Sequence, residues 1–67
     1  MQPQQEIGGM ITLLRERNGF TQSAFAKKLR TSQSAVARME KGEQNFSTEM
    51  LGKIGKILGR DMITLGT

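Results

Sequence analysis

Apolar residues at helical spacing identify the first of several short helices in this chain. Four of them stand at positions i, i+3, i+4 and i+7: Ile7, Met10, Ile11 and Leu14. This spacing predicts an amphipathic helix over residues 6–18, which ends at Asn18 and Gly19. Gly8 and Gly9 weaken its first turn, because each glycine costs about 1 kcal/mol against alanine inside a helix. The pair either frays or lets another backbone approach closely.

Three further helices are predicted where a hydroxyl side chain precedes an apolar stretch. The favourable N-cap residues are Thr21, Ser32 and Ser47. The helices that they begin are expected over residues 22–29, about 33–41 and 48–58. The side chains expected to face the core are Phe25, Ala26, Leu29, Val36, Met39, Met50, Leu51, Ile54, Ile57 and Leu58. Gly52 and Gly55, inside the last of these helices, are either tolerated small residues, which is the favoured interpretation, or positions where another segment packs closely.

The two ends of the chain follow no helical pattern. Residues 1–5 are polar and are expected to be disordered, whereas residues 6–59 form the helical domain. The segment 60–67 contains the alternating, β-prone run Met62-Ile63-Thr64-Leu65. This tail is predicted to be a short edge strand or a linker.

The composition narrows the classes of function. A chain of 67 residues has room for one small core and not for a large substrate cleft. It contains no cysteine and no histidine, so the usual ligands of transition metals and the usual base for a serine nucleophile are missing. We therefore expect neither catalysis nor a bound metal or cofactor. No apolar run approaches the roughly 20 residues that span a membrane, so no membrane association and a cytoplasmic location are expected.

Positive charge is concentrated in the middle of the chain. The net charge is +4, and residues 15–41 contain seven Lys and Arg against two Glu, a local charge of +5. The remaining residues carry three basic and four acidic side chains, a charge of −1. A basic band on a small domain suggests a polyanionic partner, most often nucleic acid. The alternative is a solvated face that only aids solubility.

The second and third predicted helices are separated by only three residues. A helix, a short turn and a second helix is the geometry of the helix-turn-helix, in which the second helix enters the major groove of DNA. Arg30 is the unusual residue of this turn, because the position after a helix often takes positive φ and then favours glycine. If Arg30 takes positive φ, it costs about 1–2 kcal/mol.

Two sequence stretches resemble a known family. The runs TQSAFA at residues 21–26 and SQSAVARMEKG at residues 32–42 strongly resemble phage repressor and Cro proteins, also called XRE-type regulators. The resemblance covers roughly residues 6–59. It implies a compact, lambda-repressor-like helix-turn-helix domain of four to five helices. It also implies sequence-specific binding of double-stranded DNA in transcriptional regulation, as a homodimer on a two-fold operator. The fifth helix common in the family is expected to be absent here, replaced by the β-prone tail.

The resemblance also assigns roles to individual residues. It places Gln33, Ser34 and Arg38 at the base edges, and a glutamine can bond both N6 and N7 of adenine. Arg38 reaches either a guanine or a phosphate. The residues assigned to phosphate contacts are Gln22, Thr21, Arg30, Lys41, Asn45 and Ser47. Gln22 is also expected to support Gln33, and Arg30 either contacts a phosphate or is a tolerated surface residue. Arg15 and Glu40 are assigned as a structural ion pair.

A second resemblance bears on the wider context of the chain. The run from Glu6 to Gly66 resembles the DNA-binding domain at the N-terminus of some bacterial enolpyruvyl-transferase-like proteins. That resemblance implies a module of a longer chain, in which the tail leads into the next domain. Two other interpretations stay open. One is an antitoxin-like or other protein-interaction module that pairs through residues 60–67, and the other is the DNA-binding regulatory domain of a larger enzyme.

Overall fold

Within residues 3–65 the chain forms five helices. The structure is a computed structural model that describes residues 3–65. The helices are α1 Pro3–Arg17, α2 Gln22–Leu29, α3 Gln33–Lys41, α4 Thr48–Leu58 and α5 Met62–Leu65. Helix α3 packs against both α1 and α2, α4 also contacts α1 and α2, and α5 lies against α4. The predicted all-α fold with a helix-turn-helix is confirmed. None of these five helices is both long and apolar enough to cross a membrane.

The core lies where the inner faces of the helices meet. Its fully buried large side chains are Ile11, Phe25, Val36, Met39, Ile54 and Met62. Burying one such side chain contributes about 1.5–3 kcal/mol, so these residues are a large part of the driving force for folding. The predicted inward face is confirmed, although Met50 and Ile57 are only half-buried at the edge of the core.

The beginning of the chain differs from the prediction. Helix α1 starts at Pro3, so the expected disorder of residues 1–5 is wrong for residues 3–5, while residues 1–2 lie outside the described part. Proline is favourable in the first turn of a helix, where its missing N–H would have no partner. The side-chain amide of Gln4 donates a hydrogen bond to Oδ1 of Asn45, which ties this first turn to the loop between α3 and α4.

The tail also differs from the prediction. Residues 62–65 form the one-turn helix α5 and not a strand, so the expectation of a missing fifth helix is wrong. The Asp61 carboxylate accepts a hydrogen bond from the backbone N–H of Ile63 at 3.1 Å, and Met62 is fully buried. The burial of the Met62 side chain in this helical conformation outweighs the β-preference of the residues around it. The last residues of the tail, 66–67, lie outside the described part.

Two glycines allow backbones to approach closely. A Cβ on Gly8 of α1 would lie 2.5 Å from the carbonyl oxygen of Met39 and 2.7 Å from that of Glu40 in α3. A Cβ on Gly55 of α4 would collide with the carbonyl oxygen of Arg60. The interpretation of Gly55 as a merely tolerated small residue is therefore wrong. Gly8 takes the second of its two predicted roles, close approach of another backbone.

Candidate nucleic-acid interface

The helix-turn-helix is built from two capped helices and the three residues between them. Thr21 Oγ1 accepts a hydrogen bond from the backbone N–H of Ala24, and Ser32 Oγ accepts one from Ala35, both at 3.0 Å. These bonds satisfy backbone donors that the first turn of a helix leaves free. Both predicted N-caps are thereby confirmed, and they fix where α2 and α3 begin.

Arg30 occupies the turn in a left-handed conformation. Its φ is 59° and its ψ is 47°, and within residues 3–65 it is the only residue other than glycine with positive φ. The backbone N–H of Arg30 donates to the carbonyl oxygens of Ala26 and Lys27, and that of Thr31 donates to Ala26 at 2.9 Å. Two of the last four carbonyls of α2, those of Ala26 and Lys27, are therefore satisfied at the cost of a strained arginine backbone.

Replacing Arg30 by glycine is expected to raise the free energy of unfolding by about 1 kcal/mol. Glycine removes a strain of about 1–2 kcal/mol, and its greater freedom in the unfolded chain cancels part of that gain. Urea denaturation monitored by circular dichroism measures the change. The matched control is Lys27→Gly, which removes the same charge inside α2 and should lower stability by about 1 kcal/mol. Equal losses in both variants would show that Arg30 is not strained.

The outer face of α3 presents polar side chains to solvent. Ala35, Val36 and Met39 are buried against the rest of the domain. The exposed polar residues of α3 on the opposite side include Gln33, Ser34, Arg38 and Lys41. The three residues assigned to base contacts are thus brought together on one exposed face. A helix of this kind fits the major groove with its N-terminal residues leading.

A hydrogen-bonded network joins α1, α2 and α3 beneath this face. Arg15 Nε donates to Glu40 Oε2 at 2.6 Å and its Nη2 donates to Oε1 at 3.3 Å, while Nη1 donates to the carbonyl oxygen of Phe20 at 2.7 Å. Gln22 Nε2 donates to Glu40 Oε1 at 3.0 Å. The Arg15 side chain is 11% exposed and that of Glu40 is 7% exposed, so each depends on the other for its charge balance.

The network lowers the pKa of Glu40. Burial by itself raises the pKa, but the hydrogen bonds from Arg15 and Gln22 and the positive charge of Arg15 outweigh burial. The net result is a pKa below the ordinary value of 4.5. The carboxylate is therefore ionised at neutral pH, and the ion pair is intact.

Stability is expected to fall in acid because of this carboxylate. As the pH falls, Glu40 takes up a proton in the unfolded chain before it does so in the folded one. The contribution of its ion pair to the free energy of unfolding is therefore complete above about pH 5, and it is lost as the pH falls through the lowered native pKa. Urea midpoints between pH 6 and pH 3 measure it. The exposed Glu43, changed to Gln, is the control and should leave the profile unchanged. In a variant that lacks both Arg15 and Glu40, the loss of stability between pH 6 and pH 3 should be smaller than in the parent chain. If the pH dependence of stability is the same in both, the loss comes from other carboxyl groups.

The residues assigned to phosphate contacts are spread over several elements. Thr21 and Ser47 are N-caps whose oxygens accept backbone N–H groups, which leaves each hydroxyl hydrogen free to donate. Asn45 accepts from Gln4 through Oδ1, so its amide hydrogens remain available as donors. Gln22 is held by Glu40, and its expected support of Gln33 stays a prediction. Ser47 lies next to Glu49 in the first turn of α4, and that acidic side chain disfavours an anion there.

Long-range partners in this region were missed from the sequence. Gln4 and Asn45 are 41 positions apart, and no local pattern links them. A shorter-range contact was missed as well, because Lys28 Nζ lies 5.3 Å from the centroid of the Phe20 ring, a cation–π contact. Phe20 and Phe25 in turn stack with ring centroids 6.5 Å apart. Lys28, beside the turn, is therefore held against Phe20, which stacks on Phe25. The sequence shows only that a lysine and two phenylalanines are present in this stretch, and it does not show that they touch.

The family assignment follows from a comparison with known proteins. The helix-turn-helix family model matches residues 11–65, a stretch that includes α2, the turn and α3. The chain belongs to the helix-turn-helix family. As a helix-turn-helix protein of the XRE type, it is a DNA-binding domain of the kind used in transcriptional regulation, and the resemblance seen in the sequence is confirmed.

One relative gives the family assignment a biological setting. The competence pilus inhibition repressor of Acinetobacter baylyi is 35% identical to this helix-turn-helix chain over 51 residues, which is 76% of the chain and 46% of the repressor. The chain thus spans about half the length of the curated relative that it matches. No solved structure gives a significant match.

Proposed function

We propose that this chain binds double-stranded DNA at specific sequences and represses transcription. The proposal places α3 in the major groove, with Gln33, Ser34 and Arg38 at the base edges. The supporting observation is the exposed polar face of α3 opposite its buried side chains, on a domain whose family binds DNA. Repression is inferred from the name of the Acinetobacter relative. The site of action is the compartment that holds the DNA, which is the cytoplasm of a bacterial cell.

Phosphate contacts position the domain on the duplex. They are assigned to Gln22, Thr21, Arg30, Lys41, Asn45 and Ser47. Ser47 is the weakest of these contacts, because Glu49 in the first turn of α4 repels an anion there. The local charge of +5 in residues 15–41 supports this role, because cations that approach phosphates release counterions and strengthen binding. A homodimer on a two-fold operator completes the proposal. Two such domains read half-sites about 34 Å apart, one turn of the double helix.

The alternative is a protein-interaction module whose partner adds a strand to residues 60–67. The structure gives no support for such a strand within residues 60–65, the part of the tail that it describes. Residues 62–65 are helical, and Met62 is buried against the core. A strand addition would first have to pull this side chain out. A role as the regulatory domain of a larger enzyme, and the second resemblance that suggests it, stay predictions that the reading frame of the full gene tests.

The test of the proposal is selection of bound duplexes from a random pool at a fixed salt concentration. It is expected to yield a two-fold symmetric site with half-sites about 34 Å apart. A pool that shows no enrichment over several rounds would disprove sequence-specific binding. If the selected duplexes contain a single half-site, the domain recognises DNA at specific sequences but does not bind as a homodimer.

Gln33→Ala is expected to weaken binding to the selected site by about 1–3 kcal/mol and to relax the preference at one base pair. The reason is that the variant loses a two-point hydrogen bond to a base and leaves phosphate contacts in place. Competition binding with single-base variants of the site measures the preference. The control is Lys41→Gln, which should weaken all sequences about equally and reduce the salt slope by about 1. An unchanged base preference in Gln33→Ala would remove Gln33 from the recognition surface.

A further inference from the structure

A groove lined by cations opens between the end of α2 and the middle of α4. It has a volume of about 280 Å³. Its lining residues are Lys28, Leu29, Arg30, Lys53, Lys56 and Ile57. Four of the six are positively charged, two are apolar and none is acidic. We call it the α2–α4 groove.

The two apolar residues form the floor of this groove. Leu29 is 4% exposed and Ile57 is half-buried, whereas the four cationic side chains are exposed around them. Small-molecule sites are typically lined by apolar side chains with a few charged groups that fix orientation. In this groove the charged side chains outnumber the apolar ones, and its volume lies just below the range of about 300–1,000 Å³ for such sites. The α2–α4 groove therefore has room only for a small, charged ligand.

The charges of the groove are only partly explained by the helices that carry them. Lys28 and Lys56 lie in the last turns of α2 and α4, where cations offset the partial negative charge of a helix end. Arg30 is the C-cap residue of α2, so its charge benefits from the same effect. Lys53 lies in the middle of α4, where a positive charge gains nothing from a helix end. Four like charges around one groove repel one another and raise the local concentration of anions.

We propose that the α2–α4 groove binds a small organic anion that combines a doubly charged head with a flat apolar body. Arg30, Lys53 and Lys56 hold the head, because the ammonium of Lys28 lies over the Phe20 ring. The apolar body lies on Leu29 and Ile57. This assignment goes beyond DNA binding and does not depend on it. Arg30 is also a proposed phosphate contact for DNA, whereas Lys53 and Lys56 belong to the groove alone and separate the two roles.

Phenyl phosphate is the probe for this site, with inorganic phosphate and phenol as its two halves. Each is titrated without DNA into the ¹⁵N-labelled protein, and the backbone amide signals are followed by NMR. Phenyl phosphate is expected to shift the signals of residues 28–30 and 53–57 to saturation, and to bind about tenfold more tightly than inorganic phosphate. Equal affinity for the two phosphates, or shifts at every cationic residue, would show attraction by charge alone and overturn the proposal.

Two double variants separate the groove from net charge. Lys53→Gln combined with Lys56→Gln should weaken phenyl phosphate binding about five- to tenfold. The matched control, Arg17→Gln combined with Arg60→Gln, removes two exposed charges outside the lining and should change the affinity less than twofold. Thermal melting confirms that both variants are folded. An equal loss in the control would reject the groove as the site.

The apolar floor has its own test. Ile57→Ala should reduce the preference for phenyl phosphate over inorganic phosphate about threefold and leave the affinity for inorganic phosphate unchanged. A preserved preference would show that the ring does not lie on Ile57. Finally, if unselected duplex DNA shifts the same amides and phenyl phosphate has no advantage over inorganic phosphate, the groove is a phosphate-binding surface for DNA and the proposal is wrong.

Discussion

Replacing Glu40 by alanine is expected to lower the free energy of unfolding by about 3–4 kcal/mol, because it strands the buried charge of Arg15. The core of a domain this small supplies only about 3–5 kcal/mol, so the variant should keep little net stability at 25 °C. Arg15 as a whole is 9% exposed, and two of its three nitrogens donate to Glu40. Gln22 loses its acceptor as well. Urea denaturation followed by circular dichroism measures the loss.

Two further variants show whether the loss belongs to the ion pair. Glu43→Ala removes an exposed carboxylate nearby and should change stability by less than about 0.5 kcal/mol. The double variant Arg15→Met with Glu40→Leu should recover most of the stability, since a buried pair can be replaced by apolar side chains at little cost. A Glu40→Ala chain that loses under 1 kcal/mol would show that solvent screens the pair.

Gly8→Ala is expected to lower the free energy of unfolding by about 2–3 kcal/mol. A methyl group at this position would stand 2.5–2.9 Å from backbone atoms of Met39 and Glu40. Backbone atoms cannot rotate aside as a side chain can, so α1 and α3 must separate, and overpacking of this kind typically costs 1–3 kcal/mol. Helix α3 carries the proposed base contacts, so the separation should also weaken DNA binding. Thermal and urea unfolding measure the first effect and competition binding the second.

The neighbouring glycine provides a control on the same helix. A Cβ on Gly9 has no atom within 4 Å. Gly9→Ala should therefore raise stability by about 0.5–1 kcal/mol, the ordinary gain of alanine over glycine in a helix. If both variants behave alike, the close approach of α3 to Gly8 is not a constraint on the fold.

The parts of the fold that depend on neighbouring residues are predictable from the sequence. The second, third and fourth helices have the predicted bounds, because an N-cap hydroxyl, an apolar stripe and a terminal turn all lie within a dozen positions. The two ends of the chain are different. Residues 3–5 are ordered through the link between Gln4 and Asn45, and α5 forms because Met62 enters the core. The first cause involves a partner 41 positions away, and the second is the packing of α5 on the preceding helix α4, and both outweigh local preference.

The same division holds for the candidate interface. The exposed face of α3 follows from its N-cap and helical period, so the amino-acid sequence is enough to place Gln33, Ser34 and Arg38 on one face. The partner of Gln22 cannot be predicted in this way, since it depends on how α2 crosses α3. The sequence also shows an arginine in the turn, but only the backbone reveals that Arg30 takes positive φ. Whether these residues contact DNA stays a prediction.

The link between Gln4 and Asn45 has a consequence for what can be attached to this protein. It places the first turn of α1 directly beside the loop that carries a proposed phosphate contact. If Asn45 contacts a phosphate as proposed, a bulky group attached at Gln4 would lie close to the bound duplex and hinder it. Binding experiments on this domain should therefore carry any affinity tag or fluorescent label away from the first turn of α1.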